Sequence, residues 1–402
     1  MKKRVVVTGM GVITPIGIGL QEFRENLRKG ISGEGAITAF DTSGFPVKQA
    51  FEIKNFNPRK HGTHLLDPFI QYAVAATSEA IQDAAFETNQ VDPFRVGISV
   101  SSSKGGVHTI SRFYERLKTH PSPILGARIY VNSVPNFAAQ WIARRWKIQG
   151  PAKCYVAACA TGTVAVIEGA NMIREGVVDY CIAGASDASI VPLMLAGYSQ
   201  MKAMARGSML PFDKRRGGFL VGEGAGIVFL ETLESARARG VKIYGEILGS
   251  SYGNEGSGGI VHFKSEEEAL RKTVELLLNQ NHFGIDELDY INLHGTATSR
   301  GDIYETAQLK KVFGKKAYQI PMSSTKSMTG HMLGASGAVE IIACLVGMQD
   351  DFIPPTGGLE KHDPHCDLDY TPLKSKTAKV HTALSLSMGF GGHIATIALR
   401  KI

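Results

Sequence analysis

Residues 159–173 read CATGTVAVIEGANMI, and residues 331–345 read HMLGASGAVEIIACL. Each stretch sets a reactive type of residue, Cys159 or His331, directly before a run of small and apolar residues. Small residues let a helix approach its neighbours closely, so both runs predict buried helices. The likeness predicts two similar halves split near 241: residues 1–241 with the cysteine, and residues 242–402 with the histidine.

Elements on either side follow an alternating pattern. Residues 4–8 (RVVVT) are β-branched and read as a buried strand stopped by Gly9 and Gly11. Asp67-Pro68 opens a helix as N-cap and first helical residue. Residues 96–101 predict a strand, 160–175 a helix, and 177–183 and 226–231 further strands. In the second half, strands are expected at 242–249, 289–293, 318–323, 382–388 and 393–400. Helices are expected after the capping box at Ser265, near 302–313, and at 334–348. This alternation points to an α/β fold with mixed or parallel sheets.

Composition narrows the function classes. The 402 residues are 44% hydrophobic and 20% charged, an ordinary globular balance. The net charge of +7 comes from short, scattered runs such as Lys2-Lys3-Arg4 and Arg215-Arg216. No basic run with interleaved aromatics suggests nucleic-acid binding; the excess reads as solvated surface or as attraction for an acidic partner. The five cysteines have no metal-ligand spacing and fit a reducing cytoplasm as free thiols. Gly9 and Gly11 interrupt the first apolar run, so no signal peptide is expected, and no run is expected to span a bilayer.

Several segments carry chemistry. Cys159 lies between a predicted strand and a helix, where a turn projects the thiol and the helix N-terminus favours thiolate. His294 ends a predicted strand and is followed by Gly295-Thr296-Ala297-Thr298. Strand ends in α/β sheets are common ligand sites. His331 closes the polar run from Ser323 to Gly330, in which Lys326 brings positive charge. Gly389-Phe390-Gly391-Gly392 reads either as a hairpin turn or as a mobile loop whose N–H groups face an oxyanion. The glycines from 217 to 226 lack the strand–loop–helix context of a dinucleotide site.

Together these motifs resemble the β-ketoacyl-acyl-carrier-protein synthases, the type II condensing enzymes of fatty acid synthesis within the thiolase-like superfamily. The resemblance rests on VVVTGMGVITPIG at the start, AACATG around Cys159 and LPFDKRRGGFLVGEGAG in the centre. It continues through HGTAT, SSTKSMTGHMLGASGAVE and GFGG. It implies a thiolase-type fold, two similar α/β halves in a five-layered αβαβα sandwich, working as a homodimer with an acyl carrier protein. It implies Cys159 as acyl-accepting nucleophile, with His294, His331 and Lys326 as the catalytic set and Glu340 in support. Thr296 and Thr298 resemble residues that hold the pantetheine arm. Phe390 resembles the gating residue whose N–H joins that of Cys159 as an oxyanion hole. The implied reaction is a decarboxylative condensation of malonyl thioester with the acyl group, needing no organic cofactor and no catalytic metal.

Some positions depart from the family pattern. Leu210 stands where an Arg that docks the carrier is usual, leaving Arg128, Arg144 and Arg145 as docking candidates. The loop 203–210 is short, and Gly258 to Phe263 replaces a run expected near the pantetheine tunnel. Lys104 stands where an apolar residue near the acyl pocket is usual, and Leu386 replaces an Asn. These departures suggest a specialised condensing enzyme with an unusual acyl chain. Alternatives are a decarboxylase or partner subunit of secondary metabolism, and a degradative thiolase. Cys159 itself speaks against the first, and Cys366 lacks the setting of a thiolase's second cysteine.

Overall fold

The computed structural model describes residues 3–119, 126, 128–256, 268–280 and 283–402. Strand β1 spans Val5–Thr14 and is buried along its whole length. The expected stop at Gly9 and Gly11 does not occur. A Cβ at either position would come within 2.1 Å of Ala80 O or 1.9 Å of Ala76 O. Both carbonyls belong to helix α1, Pro68–Asp83, which lies directly on the strand. The glycines therefore let a helix backbone rest on a strand backbone; they do not turn the chain. Asp67 caps α1 by accepting from Phe69 N at 3.3 Å.

The first half continues with β2 Val96–Ser101, helices α2 Val107–Thr119 and α3 Phe137–Trp146, and the short β3 Ala152–Lys153. Helix α4 Thr161–Arg174, β4 Tyr180–Asp187 and β5 Gly224–Thr232 complete it. The second half holds β6 Gly245–Asn254, α5 Ala269–Gln280, β7 Tyr290–Asn292 and α6 Gly301–Phe313. After these come β8 Met322–Ser323, α7 Ser336–Asp350, β9 Thr382–Gly389 and β10 His393–Arg400. The strand expected at 177–183 starts later, at Tyr180, because residues 176–178 turn back onto the end of α4. The one expected at 318–323 shrinks to two residues, as a 3-10 turn takes Gly314–Tyr318. The Ser265 capping box and the run from Gly258 to Phe263 lie outside the described residues.

Strand order repeats between the halves. The first is β1-β5-β4-β2-β3 and the second is β6-β10-β9-β7-β8. In each, the first two neighbours pair antiparallel and the last two pair parallel. The two half-sheets meet through β1 and β6, paired at Val6↔Glu246 and Val7↔Gly245. Helices α4 and α7 pack against each other between the half-sheets. Outside them, α1 and α3 cover one half-sheet and α5 and α6 the other. The result is the expected five-layered α/β sandwich.

Small residues make the central layer possible. A Cβ on Gly162 of α4 would meet Ala338 N at 2.7 Å, and one on Gly337 of α7 would meet Thr163 Oγ1 at 2.1 Å. Contrary to expectation, Leu333–Asp350 is apolar and long enough to cross a bilayer. It is almost wholly buried, and its composition reflects a helix that packs on every side.

Candidate active site

Cys159 sits in a 3-10 turn, Ala158–Ala160, that runs into α4. The preceding strand is only β3; residues 154–157 are irregular. Ala158 takes φ 48°, a left-handed backbone that costs a non-glycine residue of order 1 kcal/mol or more. Thr161 Oγ1 braces the turn by donating to Ala158 O at 2.7 Å and accepting from Ala157 N at 2.9 Å. The thiol is directed into the space between the halves, where it meets His331 Nε2 at 3.1 Å.

His331 lies just before the 3-10 turn Leu333–Ala335 and α7. Its Nδ1 is 3.1 Å from Ser336 Oγ, and Phe219 packs edge-on against its ring at 5.1 Å. His294 follows β7, with its ring centroid 5.6 Å from that of His331 and nearly perpendicular to it. Glu305 on α6 secures the His294 loop, accepting from His294 N at 2.7 Å and Gly295 N at 2.8 Å. Lys326 is fully buried and ion-paired with Glu340 of α7.

Electrostatics leave the reactive groups neutral. Burial pushes the Cys159 thiol up to about 11, while Lys104 and Lys326 pull it down. The expected thiolate preference from the helix N-terminus is therefore outweighed by desolvation. Burial, with Lys326 and Lys104 close by, holds His331 well below its usual range. Burial, Lys326 and His331 do the same to His294. Burial likewise raises Glu305 to about 7.

The Gly389-Phe390-Gly391-Gly392 motif comes to the same place. Residues 389–392 close the β9–β10 hairpin, with Gly389 paired to His393. The hairpin reading and the loop reading therefore describe one feature. Phe390 directs its backbone N–H to the Cys159 sulfur. A Cβ on Gly389 would lie 2.7 Å from Ala157 O and 3.1 Å from Cys159 N, so the loop touches the turn itself.

A cavity of about 270 Å³ opens from this cluster to the surface. Cys159, His294 and His331 line its buried end; Lys202, Ser299 and Arg300 form an exposed rim. Thr296 and Thr298 line the passage, with their hydroxyls 3.3 Å apart. Lys326 and Glu340 lie behind the histidines and do not line it. Arg128, Arg144 and Arg145 do not reach it either; Arg145 donates to His61 O at 2.8 Å. Phe219, Glu305, Lys202 and Arg300 were missed in the sequence. Glu305 carried no signal of its own, because an acidic residue on a helix reads as solvated surface until the helix is seen to be buried. Among the described residues no group of three His, Cys, Asp or Glu side chains is placed to hold a metal.

The chain matches the family model "Beta-ketoacyl synthase, N-terminal domain" over residues 2–236 and "Beta-ketoacyl synthase, C-terminal domain" over 244–360. It is 38% identical over 414 residues to a 3-oxoacyl-[acyl-carrier-protein] synthase 2 of Synechocystis sp., covering 100% of this chain and 98% of that one. The solved ishigamide ketosynthase/chain length factor matches with a TM-score of 0.94 at 32% identity, covering 100% of both chains. The AntDE:AntF complex, a type II polyketide acyl-carrier protein with its ketosynthase, matches at 0.93 and 29%, again covering 100% of both. With both domains matched and the likeness running the length of the chain, this protein belongs to the β-ketoacyl synthase family of acyltransferase-type condensing enzymes.

Proposed function

We propose that this chain is a β-ketoacyl-acyl-carrier-protein synthase that lengthens a fatty-acid or polyketide-type chain held as a thioester on Cys159. The observation that carries this reading is the 3.1 Å contact between Cys159 Sγ and His331 Nε2 at the buried end of the cavity, with His294 and the Phe390 N–H beside it.

In the first half-reaction His331, neutral, accepts the thiol proton as Cys159 attacks the carrier-bound acyl thioester. The oxygen that gains charge accepts from the N–H groups of Cys159 and Phe390, and the carrier thiol leaves with the proton. Carrier-bound malonyl then enters. Loss of carbon dioxide leaves an enolate on its thioester oxygen, to which His294 donates as a neutral imidazole, joined by His331 once its single ring proton has moved from Nδ1, which faces Ser336, to Nε2. Removing one such donor typically costs about 10²–10³ in rate. The enolate carbon attacks the acyl group, the bond to Cys159 breaks with its thiolate as leaving group, a proton from solvent restores the thiol, and the β-ketoacyl product stays on the carrier. Burial, aided by the charge of Lys326, keeps both imidazoles neutral, and Glu340 compensates Lys326 in the interior. Thr296 and Thr298 guide the pantetheine arm through the passage, and Phe390 gates it.

The partner we infer is an acyl carrier protein, approaching the rim where Lys202 and Arg300 stand outside any ion pair among the described residues. A homodimer agrees with the edge at β3, unpaired among the described residues, and with the exposed Val156, Ile110, Tyr114 and Leu117. Five free cysteines favour a reducing cytoplasm. The repeated strand order supports a division into residues 1–241 and 242–402.

Mass spectrometry after incubation with acyl-carrier thioester tests the reading. The expected result is one acyl group on Cys159, lost in Cys159→Ala. Turnover of malonyl thioester to carbon dioxide without any adduct would replace it with a decarboxylase or partner-subunit role.

A further inference from the structure

The loop 389–392 has few means of holding itself in place. Gly391 and Gly392 take φ 86° and 88°, and neither has a side chain to pack. Within the loop one hydrogen bond closes the turn, from Gly392 N to Gly389 O at 3.1 Å. Its position nevertheless matters. Phe390 packs against the apolar cluster that holds Cys159, and Gly389 and Phe390 both line the cavity beside the thiol. An N–H that stabilises developing charge works only while it stays within hydrogen-bond reach of that oxygen.

The end of β6 holds the loop from outside. Glu255 N donates to Gly392 O at 2.8 Å, and Asn254 Nδ2 donates to Gly391 O at 3.4 Å. A third link joins two side chains. Tyr252 Oη lies 2.7 Å from His393 Nδ1, and the two rings are 11° from parallel with centroids 6.1 Å apart. In the β6–β10 ladder Ala395 faces Tyr252 and His393 faces Asn254, so Tyr252 and His393 are diagonal neighbours on one face. His393 is also the first residue of β10 and pairs with Gly389, the last of β9. A side chain that fixes His393 therefore fixes both feet of the loop. Tyr252 is 47% exposed, which leaves the hydroxyl contact, rather than burial, to orient its ring.

We propose that Tyr252 and His393 are positioning residues for acyl transfer, their clasp holding the loop so that the Phe390 N–H meets the oxygen that gains charge when the acyl thioester is attacked. The inference rests on the reading of Cys159 as acyl acceptor and of Phe390 as oxyanion donor. The clasp adjoins neither the thiol nor the imidazoles. It bears on acyl transfer and not on the loss of carbon dioxide, where the donors are the histidines.

The test uses the full chain with octanoyl pantetheine, followed by rapid-quench mass spectrometry of acyl-Cys159, and with malonyl pantetheine, followed by release of carbon dioxide. Tyr252→Phe removes one exposed hydroxyl. Its acylation rate at saturating thioester should fall about 3- to 10-fold, the range of one neutral hydrogen bond, while the decarboxylation rate stays as it was. His393→Val should match it, and the double variant should be no slower than either single one. His393→Asn, whose Oδ1 can stand in for Nδ1, should recover most of the rate. Unchanged acylation in Tyr252→Phe overturns the proposal. So does equal slowing of acylation and decarboxylation, which would mean a general loosening of the fold. No adduct on the wild type overturns instead the acyl-enzyme reading beneath it, and the two failures are thereby distinct.

Discussion

Cys159 opens helix α4, yet its thiol is raised to about 11 because desolvation exceeds the pull of Lys104 and Lys326. A raised thiol is protonated at neutral pH, and its reactive thiolate grows as pH rises toward that value. Alkylation of Cys159 by iodoacetamide should therefore accelerate about tenfold per pH unit between pH 7 and 9. Stopped-time mass spectrometry reads the rate, and a plateau below pH 8 would show a preformed thiolate. At the residue scale the sequence offered residue types, and it said little about their state. AACATG singled out Cys159, and HGTAT and TGH singled out the histidines. Their protonation depends on burial and on Lys326, which no local window reveals.

Helices α4 and α7 touch through glycines, and this contact joins the cysteine to the second histidine. A methyl on Gly337 would face Thr163 Oγ1 at 2.1 Å, Ser387 Oγ at 2.8 Å and Thr163 N at 2.9 Å. Gly337→Ala should destabilise the fold by about 1–3 kcal/mol, since overpacking has no free side to relax into. Gly197, in the helix Pro192–Gln200, has nothing within 4 Å. Gly197→Ala should be neutral or stabilising by up to about 1 kcal/mol. Urea unfolding of the two variants decides, and equal effects would refute the packing argument. The helices were legible as buried from their small residues. Strand β1 was cut short in the reading because Gly9 and Gly11 look like turn formers until α1 is seen lying on them. Met322–Ser323 was overread because its apolar neighbours serve the core from a 3-10 turn.

Across the whole molecule, positive charge is spread thinly but reaches the cavity rim through Lys202 and Arg300. Lys202→Glu should raise KM for a carrier-bound thioester roughly two- to five-fold, the scale of an exposed charge contact. The same change should leave KM for free pantetheine thioesters as it was. A steady-state comparison at low and high salt checks this, and equal effects on both substrates would exclude a carrier contact. The docking candidates named from the sequence, Arg128, Arg144 and Arg145, do not line the cavity, because position along the chain says little about which loops surround it. The sequence by itself determined the α/β alternation and the types of chemical group present, both of which follow from local periodicity and residue chemistry. Only the tertiary structure decided that Cys159 and His331, separated by 172 positions, stand 3.1 Å apart and neutral. The reason is physical: burial and long-range register belong to the packed chain as a whole, and both arise only when the two half-sheets close on α4 and α7.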